Sequence, residues 1–300
     1  METNERRKMK KLSLLLALTI ALPAVASDEV FRTLDADSKS EIRVTNVAGD
    51  VEIEGWSKNE VAIEADLGSG VEELIFRRDG KEIVIEVKGK KDSNRNISSD
   101  LVIQVPQNSS LEVGTVSADI TVDDVKGRMR LVSVSGDVEA SVYGENIDAE
   151  SVSGDVVLDG SDQEVRTNAK TVSGDVEMQN IMGEIRASAV SGDIVVVDSN
   201  FSDADMQTVN GDITYNAGLY GESRMHLETV NGTIDVEFSG DFSARFDIET
   251  FNGDIDNCFG PPSERTSKYA PGRELKFSVG GGDGRVVIRT LNGDLSLCQD

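Results

Sequence analysis

Eight aspartates recur at one position of a short repeated phrase, and no other residues of the chain are so regularly placed to do chemistry. Asp119, Asp137, Asp155, Asp175, Asp193, Asp212, Asp254 and Asp294 hold this position, which is broken once by Thr233. Carboxylates stacked at the strand spacing of about 4.8 Å repel by about 0.9 kcal/mol per pair even at the dielectric of water. Two arrangements offset that repulsion. Each carboxylate accepts hydrogen bonds from the amides of its own turn, or the column is a ladder of weak calcium sites with Asp137, Asp155, Asp175, Asp193 and Asp212 as oxygen ligands. The Gly-Gly-x-Gly-x-Asp calcium-roll repeat and the EF-hand loop are both absent.

Paired carboxylates also cleave glycosidic bonds, so a carbohydrate-active β-helix enzyme is the alternative. A regular ladder, however, marks out no one pair. His226, the sole histidine, lies in the alternating run Arg224-Met225-His226-Leu227 and points outward. One histidine and two cysteines supply neither a Ser/His/Asp set nor a zinc cluster. Aromatics are 5% of residues, and the single tryptophan, Trp56, falls outside the regular repeats, so no sugar-stacking cleft is marked. The reading is therefore a non-enzyme with no catalytic residue and no cofactor beyond weak calcium.

The elements that position the aspartates follow from the phrase itself. It reads Ser133-Val134-Ser135-Gly136-Asp137-Val138, returns as Thr171-Val172-Ser173-Gly174-Asp175-Val176, and becomes Thr208-Val209-Asn210-Gly211-Asp212-Ile213. Counted on the glycine position from Ala118, the steps are 18, 18, 20, 18, 19, 21, 21 and finally 40. Residues seven and five before the glycine are apolar, as in Met129 and Leu131 or Ile185 and Ala187. So are those two and four after it, as in Val156 and Leu158. Period-two alternation on both sides of a Gly-Asp corner is the pattern of two short strands with one buried face each. A unit near 20 residues cannot bury that face alone, so neighbours must stack. The fold expected is all-β: a β-solenoid, a single-chain β-helix with 18–21 residues per rung, right-handed by the crossover rule. Asn-Gly and Ser-Gly-Asp would supply the positive φ of a tight corner.

Residues 1–26 read as a signal peptide. Arg6, Arg7, Lys8, Lys10 and Lys11 precede an apolar run from Leu12 to Leu22, and Ala24-Val25-Ala26 fits the small-residue rule for cleavage between Ala26 and Ser27. The run is too short to span a bilayer. The mature protein is expected in the periplasm, at the cell surface or secreted, with no transmembrane anchor after cleavage. Removing five basic and two acidic residues leaves 25 basic against 53 acidic, a formal net charge of −28. Such a surface repels nucleic acid, so the partner expected is an envelope or surface protein or a glycan.

Residues 27–110 repeat more loosely and read as an N-terminal β cap with the first rungs, since solenoid ends expose strand edges that need covering. Val44 to Ile53 is a clear copy of the phrase, and Arg78-Asp79-Gly80-Lys81 is a hairpin turn. Residues 111–258 are the regular solenoid. Residues 259–300 read as an excursion loop, a hairpin of Leu275–Val279 with Arg285–Arg289, and a final rung. Cys258 and Cys298 each fall five residues after a motif glycine. They can bond only if the intervening segment is an excursion, because a full rung between them would hold them about 9.6 Å apart. Gly260-Pro261-Pro262 and Tyr269-Ala270-Pro271-Gly272 are loop chemistry. With export to an oxidising compartment, a Cys258–Cys298 disulfide is expected, pinning the last rung.

The repeated Ser/Asn-Gly-Asp-Val/Ile strands after an exported start, together with the run from Gly260-Pro261-Pro262 through Arg273-Glu274-Leu275 to Asn292-Gly293-Asp294-Leu295, resemble the bacterial "putative adhesin" family of β-strand-repeat proteins, a domain of unknown function. The resemblance spans the mature chain and rests on structural motifs, so it implies the fold and carries over no functional residue. The function expected is that of a non-catalytic exported β-solenoid presenting long acidic faces, for adhesin-like binding or as an envelope scaffold. The alternatives are the carbohydrate-active enzyme, a calcium-dependent adhesion module, and a solenoid that self-assembles end to end.

Overall fold

The computed structural model describes residues 28–90, 96–161 and 163–299, and every regular element among them is a strand. The signal segment, with Ala26 and Ser27, lies outside the described residues. Seven strands build the N-terminal part: β1 (Asp28–Asp35), β2 (Glu41–Trp56), β3 (Glu60–Leu67), β4 (Val71–Asp79), β5 (Glu82–Gly89), β6 (Ser99–Pro106) and β7 (Ser110–Asp123). The regular body continues with β8 (Met129–Ser133), β9 (Val138–Ser141), β10 (Ile147–Ser151), β11 (Val156–Asp159), β12 (Glu164–Lys170), β13 (Val176–Gln179), β14 (Met182–Ser188), β15 (Ile194–Asn210) and β16 (Ile213–Asn231). The C-terminal part holds β17 (Ile234–Phe238), β18 (Ala244–Asn252), β19 (Ile255–Asn257), β20 (Glu264–Arg265), β21 (Arg273–Val279), β22 (Gly284–Asn292) and β23 (Leu295–Gln299).

Successive repeats stack as parallel strands. Met129, Ile147, Thr167 and Ile185 form one line across β8, β10, β12 and β14. Val138, Val156, Val176 and Ile194 form another across β9, β11, β13 and β15. The two parallel sheets meet at the Gly-Asp corner, and their inward columns make one buried core along the body. This is an all-β, solenoid-like repeat fold, built because each half-buried strand finds an identical pattern above and below it.

The corner glycine is required for a reason other than turn conformation. Of the motif glycines only Gly49 has a positive φ, at 106°. A Cβ on Gly174 would instead stand 2.2 Å from the carbonyl oxygen of Gly154, and one on Gly192 only 1.8 Å from that of Gly174. The rungs meet backbone against backbone here, leaving no room for a side chain. Three residues before the glycine, a Ser or Thr hydroxyl donates to the glycine carbonyl of the neighbouring rung: Ser151 to Gly136 and Thr171 to Gly154, both at 2.9 Å, and Thr229 to Gly211 at 3.0 Å. The close contact is thereby also hydrogen-bonded.

Chain order and stacking order part company at both ends. β2 lies between β7 and the pair β5 and β6, with Val51 beside both Ile120 and Leu101. Antiparallel strands finish this end: β4 against β5, β3 against β6, and β1 against β3. At the other end β22 pairs with β16 on one side and β18 on the other, Val286 standing between Met225 and Phe246. The last phrase of the sequence, at Gly293, therefore occupies the layer between Gly232 and Gly253 and is not the final rung expected from chain order.

The hairpin expected from Leu275–Val279 and Arg285–Arg289 is also corrected. β21 runs antiparallel along the outer edge of β18, so β21 and β22 flank β18 and do not pair with each other. The connection rounds the start of β18, where the Ser243 hydroxyl accepts the Gly282 amide at 3.0 Å and donates to Asp283 at 2.9 Å. An antiparallel outer strand cannot continue the parallel template, which is why this order closes the edge. Phe277 of β21 stacks on Phe246 at 4.4 Å, beside Phe238, Phe242 and Phe259. Cys258 and Cys298 are joined, with Cα atoms 4.9 Å apart. Because of the swapped order, the bond ties an inner layer to the outermost parallel one.

Two substitutions test this packing in opposite directions. Gly174→Ala drives a methyl into a backbone carbonyl and is expected to cost about 1–3 kcal/mol, the usual range for overpacking. Thr167 stands between Ile147 and Ile185 with its buried hydroxyl unbonded. Thr167→Val, of the same shape, is expected to stabilise by about 1 kcal/mol by removing that orphaned group. Urea unfolding of both variants reads the two effects, and an unchanged midpoint for either refutes the account of that position.

Candidate functional site

The Asp column is a ladder in which each carboxylate serves the next rung. Asp119 Oδ1 accepts the Asp137 amide at 2.9 Å, Asp137 accepts that of Asp155 and Asp155 that of Asp175, both at 2.8 Å. Asp175 accepts the amide of Asp193 at 2.7 Å, Asp193 that of Asp212 at 2.8 Å, and Asp212 that of Thr233 at 2.7 Å. The turn-capping role is thus exercised between rungs, where the expectation was each residue's own turn. An anionic acceptor on an N–H is a strong form of hydrogen bond, and it offsets the repulsion of the stacked charges. Asp254, in the outermost rung, meets no further amide among the described residues. Its Oδ1 is met by Arg273 Nε at 2.7 Å, so the ladder ends on a guanidinium. At the other end Asp50 is pushed above the ordinary carboxylate range by partial burial and then by its neighbours Asp100 and Asp119.

Each of Asp137, Asp155, Asp175, Asp193 and Asp212 therefore has one oxygen committed to an amide. Among the described residues no group of three or more His, Cys, Asp and Glu is gathered to hold a metal ion. Asp155→Ala, which strips the Asp175 amide of its acceptor, is expected to cost about 1 kcal/mol, whereas Asp155→Asn keeps an acceptor oxygen and most of the stability. The same melts in calcium and in chelator are expected to coincide. A calcium-dependent midpoint lost in Asp155→Asn would make the column a metal ladder.

The outward faces of the two sheets differ sharply in charge. Between residues 111 and 258 the basic residues are Lys126, Arg128, Arg130, Arg166, Lys170, Arg186, Arg224 and Arg245. All but Lys126 lie on or beside the strands that precede the corner, β8, β10, β12, β14, β16 and β18. The outward positions of β9, β11, β13, β17 and β19 carry acidic, neutral or apolar residues instead, such as Glu139, Glu177, Asp235 and Asp256. The faces are therefore not uniformly acidic.

On the basic-bearing face neighbouring rungs pair opposite charges: Arg130 with Asp148, Arg166 with Glu184 at 2.8 Å, Lys170 with Glu150 at 3.6 Å. His226 lies in the same columns, its ring nitrogens 3.1 Å from Asp205 and 3.5 Å from Glu228. It is a surface member of the mosaic, as its alternation implied. Sequence reasoning did not single out this face, although its signal was available: between residues 111 and 258 every basic residue but Lys126 falls six, eight or four places before a motif glycine, as Arg130, Arg128 and Lys170 do. A groove of about 640 Å³ runs across it, lined by Arg128, Arg130, Arg166, Lys170 and Arg186 together with Asn146, Asn168, Gln207, Asp148 and Asp205.

Register-stacked parallel sheets, a laddered polar corner and covered ends define a β-strand repeat protein of the solenoid-like kind. Within that class the chain belongs to the Toastrack DUF4097 family, whose pattern matches residues 18–188, more than half of the chain. No curated protein matches it. Among solved structures it is similar to a "putative lipid binding protein" from Parabacteroides distasonis, at 15% identity over 91% of this chain and 96% of that one, with a TM-score of 0.49. It is also similar to a "putative adhesin" from Bacteroides fragilis, at 10% identity over 91% and 98%, with a TM-score of 0.46. Likeness at that level says nothing of function.

Proposed function

We propose that this protein is a non-catalytic, exported scaffold that presents a rigid, rung-spaced surface for binding in the bacterial envelope or outside the cell. The observation that carries this is the use made of the carboxylates. From Asp119 to Asp212 they hold the amide of the next rung, and on the adjoining face Asp148, Glu150, Glu184 and Asp205 are engaged by neighbouring side chains. Groups so committed position strands; they do not poise an acid and a base across a substrate. The paired cysteines accord with an oxidising compartment, and the basic, apolar and small-residue order of residues 1–26 accords with a cleaved leader.

Expression of the full chain in a bacterium, followed by fractionation and intact-mass analysis, tests the reading. The expected product is a chain beginning at Ser27, outside the cytoplasm, two hydrogens lighter than its reduced form. A full-length chain retained in the cytoplasm with free thiols would overturn it.

A further inference from the structure

We propose that the groove on the basic face binds a segment of an acidic polysaccharide, a chain of sugars carrying carboxylates at intervals. This rests on the scaffold reading and names the ligand class for it. Arg128, beside β8, and Arg186, on β14, lie three strand steps apart, about 14 Å at the spacing of a sheet. Among the described residues neither side chain has an ion pair or hydrogen bond. The carboxylates nearby are already engaged: Asp148 by Arg130 and Asn168, and Asp205 by Gln207 and His226. The lining thus holds five cationic and two anionic side chains in a protein whose formal net charge is −25. Arg245, Arg285 and Arg289, on β18 and β22 of the same face, are likewise without an ion pair among the described residues, but Arg128 and Arg186 are the two that line this groove. An anion from outside would satisfy them, and their planar forks fit carboxylates.

The rest of the groove narrows the class of anion. Arg128 and Arg130 also line a second depression of about 400 Å³, bordered by Arg43, Glu82 and Glu112, so the concave surface continues across the sheet. An extended polymer matches that continuity better than a single small ion does. The two free cations are spaced for sparse negative charge, whereas duplex DNA carries a charge about every 1.7 Å along its axis and would meet Asp148 and Asp205 as well. Between the cations stand the amides of Asn146 and Asn168, with that of Gln207 one strand beyond Arg186; amides donate and accept. Sugar hydroxyls do both, and amides together with carboxylates satisfy them.

Calorimetry of the full exported chain with an oligogalacturonate of about six sugars tests the assignment. Binding is expected, weakened about tenfold or more in an Arg128→Gln and Arg186→Gln double variant that keeps its melting midpoint. Arg245→Gln, on the same face beyond the groove, is expected to bind as the parent does, and a neutral oligomaltose is expected not to bind. No binding of the acidic oligomer, equal binding by the double variant, or equal competition by a single-stranded oligonucleotide would each overturn the proposal while leaving the scaffold reading in place. Cleavage of a bound oligomer would instead defeat the non-catalytic reading and leave the groove assigned.

Discussion

The contact on which this structure depends is the one between backbones at the Gly-Asp corner. A carbonyl oxygen of one rung occupies the space where a Cβ of the next would be, as Gly154 does beneath Gly174. From Gly136 on no side chain can enter, so every later rung puts glycine at the same place. Once the corner is in register, alternation does the rest: a shift by one residue would turn each inward column, such as Val138 to Ile194, out to solvent. The hydroxyls of Ser151, Thr171 and Thr229 bind the carbonyls that crowd the corner, so the closest approach of the backbone is also a satisfied one.

Stacking like on like has an electrostatic consequence, and the chain meets it in two ways. At the corner the column is carboxylate but for Thr233, and from Asp119 to Asp212 the counter-dipole comes from the backbone of the following rung. On the adjoining face the columns mix signs, so that Arg130 meets Asp148 and Arg166 meets Glu184 across one strand spacing. Exposed pairs of this kind each contribute little to stability. Their effect is to arrange charge in space, and in the groove that arrangement leaves Arg128 and Arg186 over.

The ends show how a repetitive body stops. Each terminal phrase is clasped one layer inside the stack, β2 by β5 and β6, β22 and β23 by β18 and β19. Antiparallel strands then cover the outer layers, and the stacked rings of Phe246 and Phe277 fill the C-terminal end. Tyr215, whose phenol burial raises well above its ordinary pKa, donates to the Gly218 carbonyl at 2.9 Å and continues the aromatic core inward against Phe238. The disulfide between Cys258 and Cys298 closes across this clasp.

What the sequence determined by itself was everything that repeats. The period, the two strands per unit, the inward columns and the resemblance to an uncharacterised family of strand-repeat proteins were all legible, because a solenoid writes its nearest-neighbour contacts into every repeat. The bonded cysteines were legible for the same reason, since equal offsets from Gly253 and Gly293 place them in one column. The tertiary structure decided what depends on which rung lies next to which. That the Asp155 carboxylate binds the Asp175 amide, that Gly293 lies beneath Gly253, that Arg273 caps Asp254, and that Arg128 and Arg186 line the groove unpaired all turn on stacking order and on contacts between rungs. Composition and spacing along the chain are the same whether the last phrase is laid on the end or slipped between two earlier layers. Only the packing of β21 against β18 selects the second.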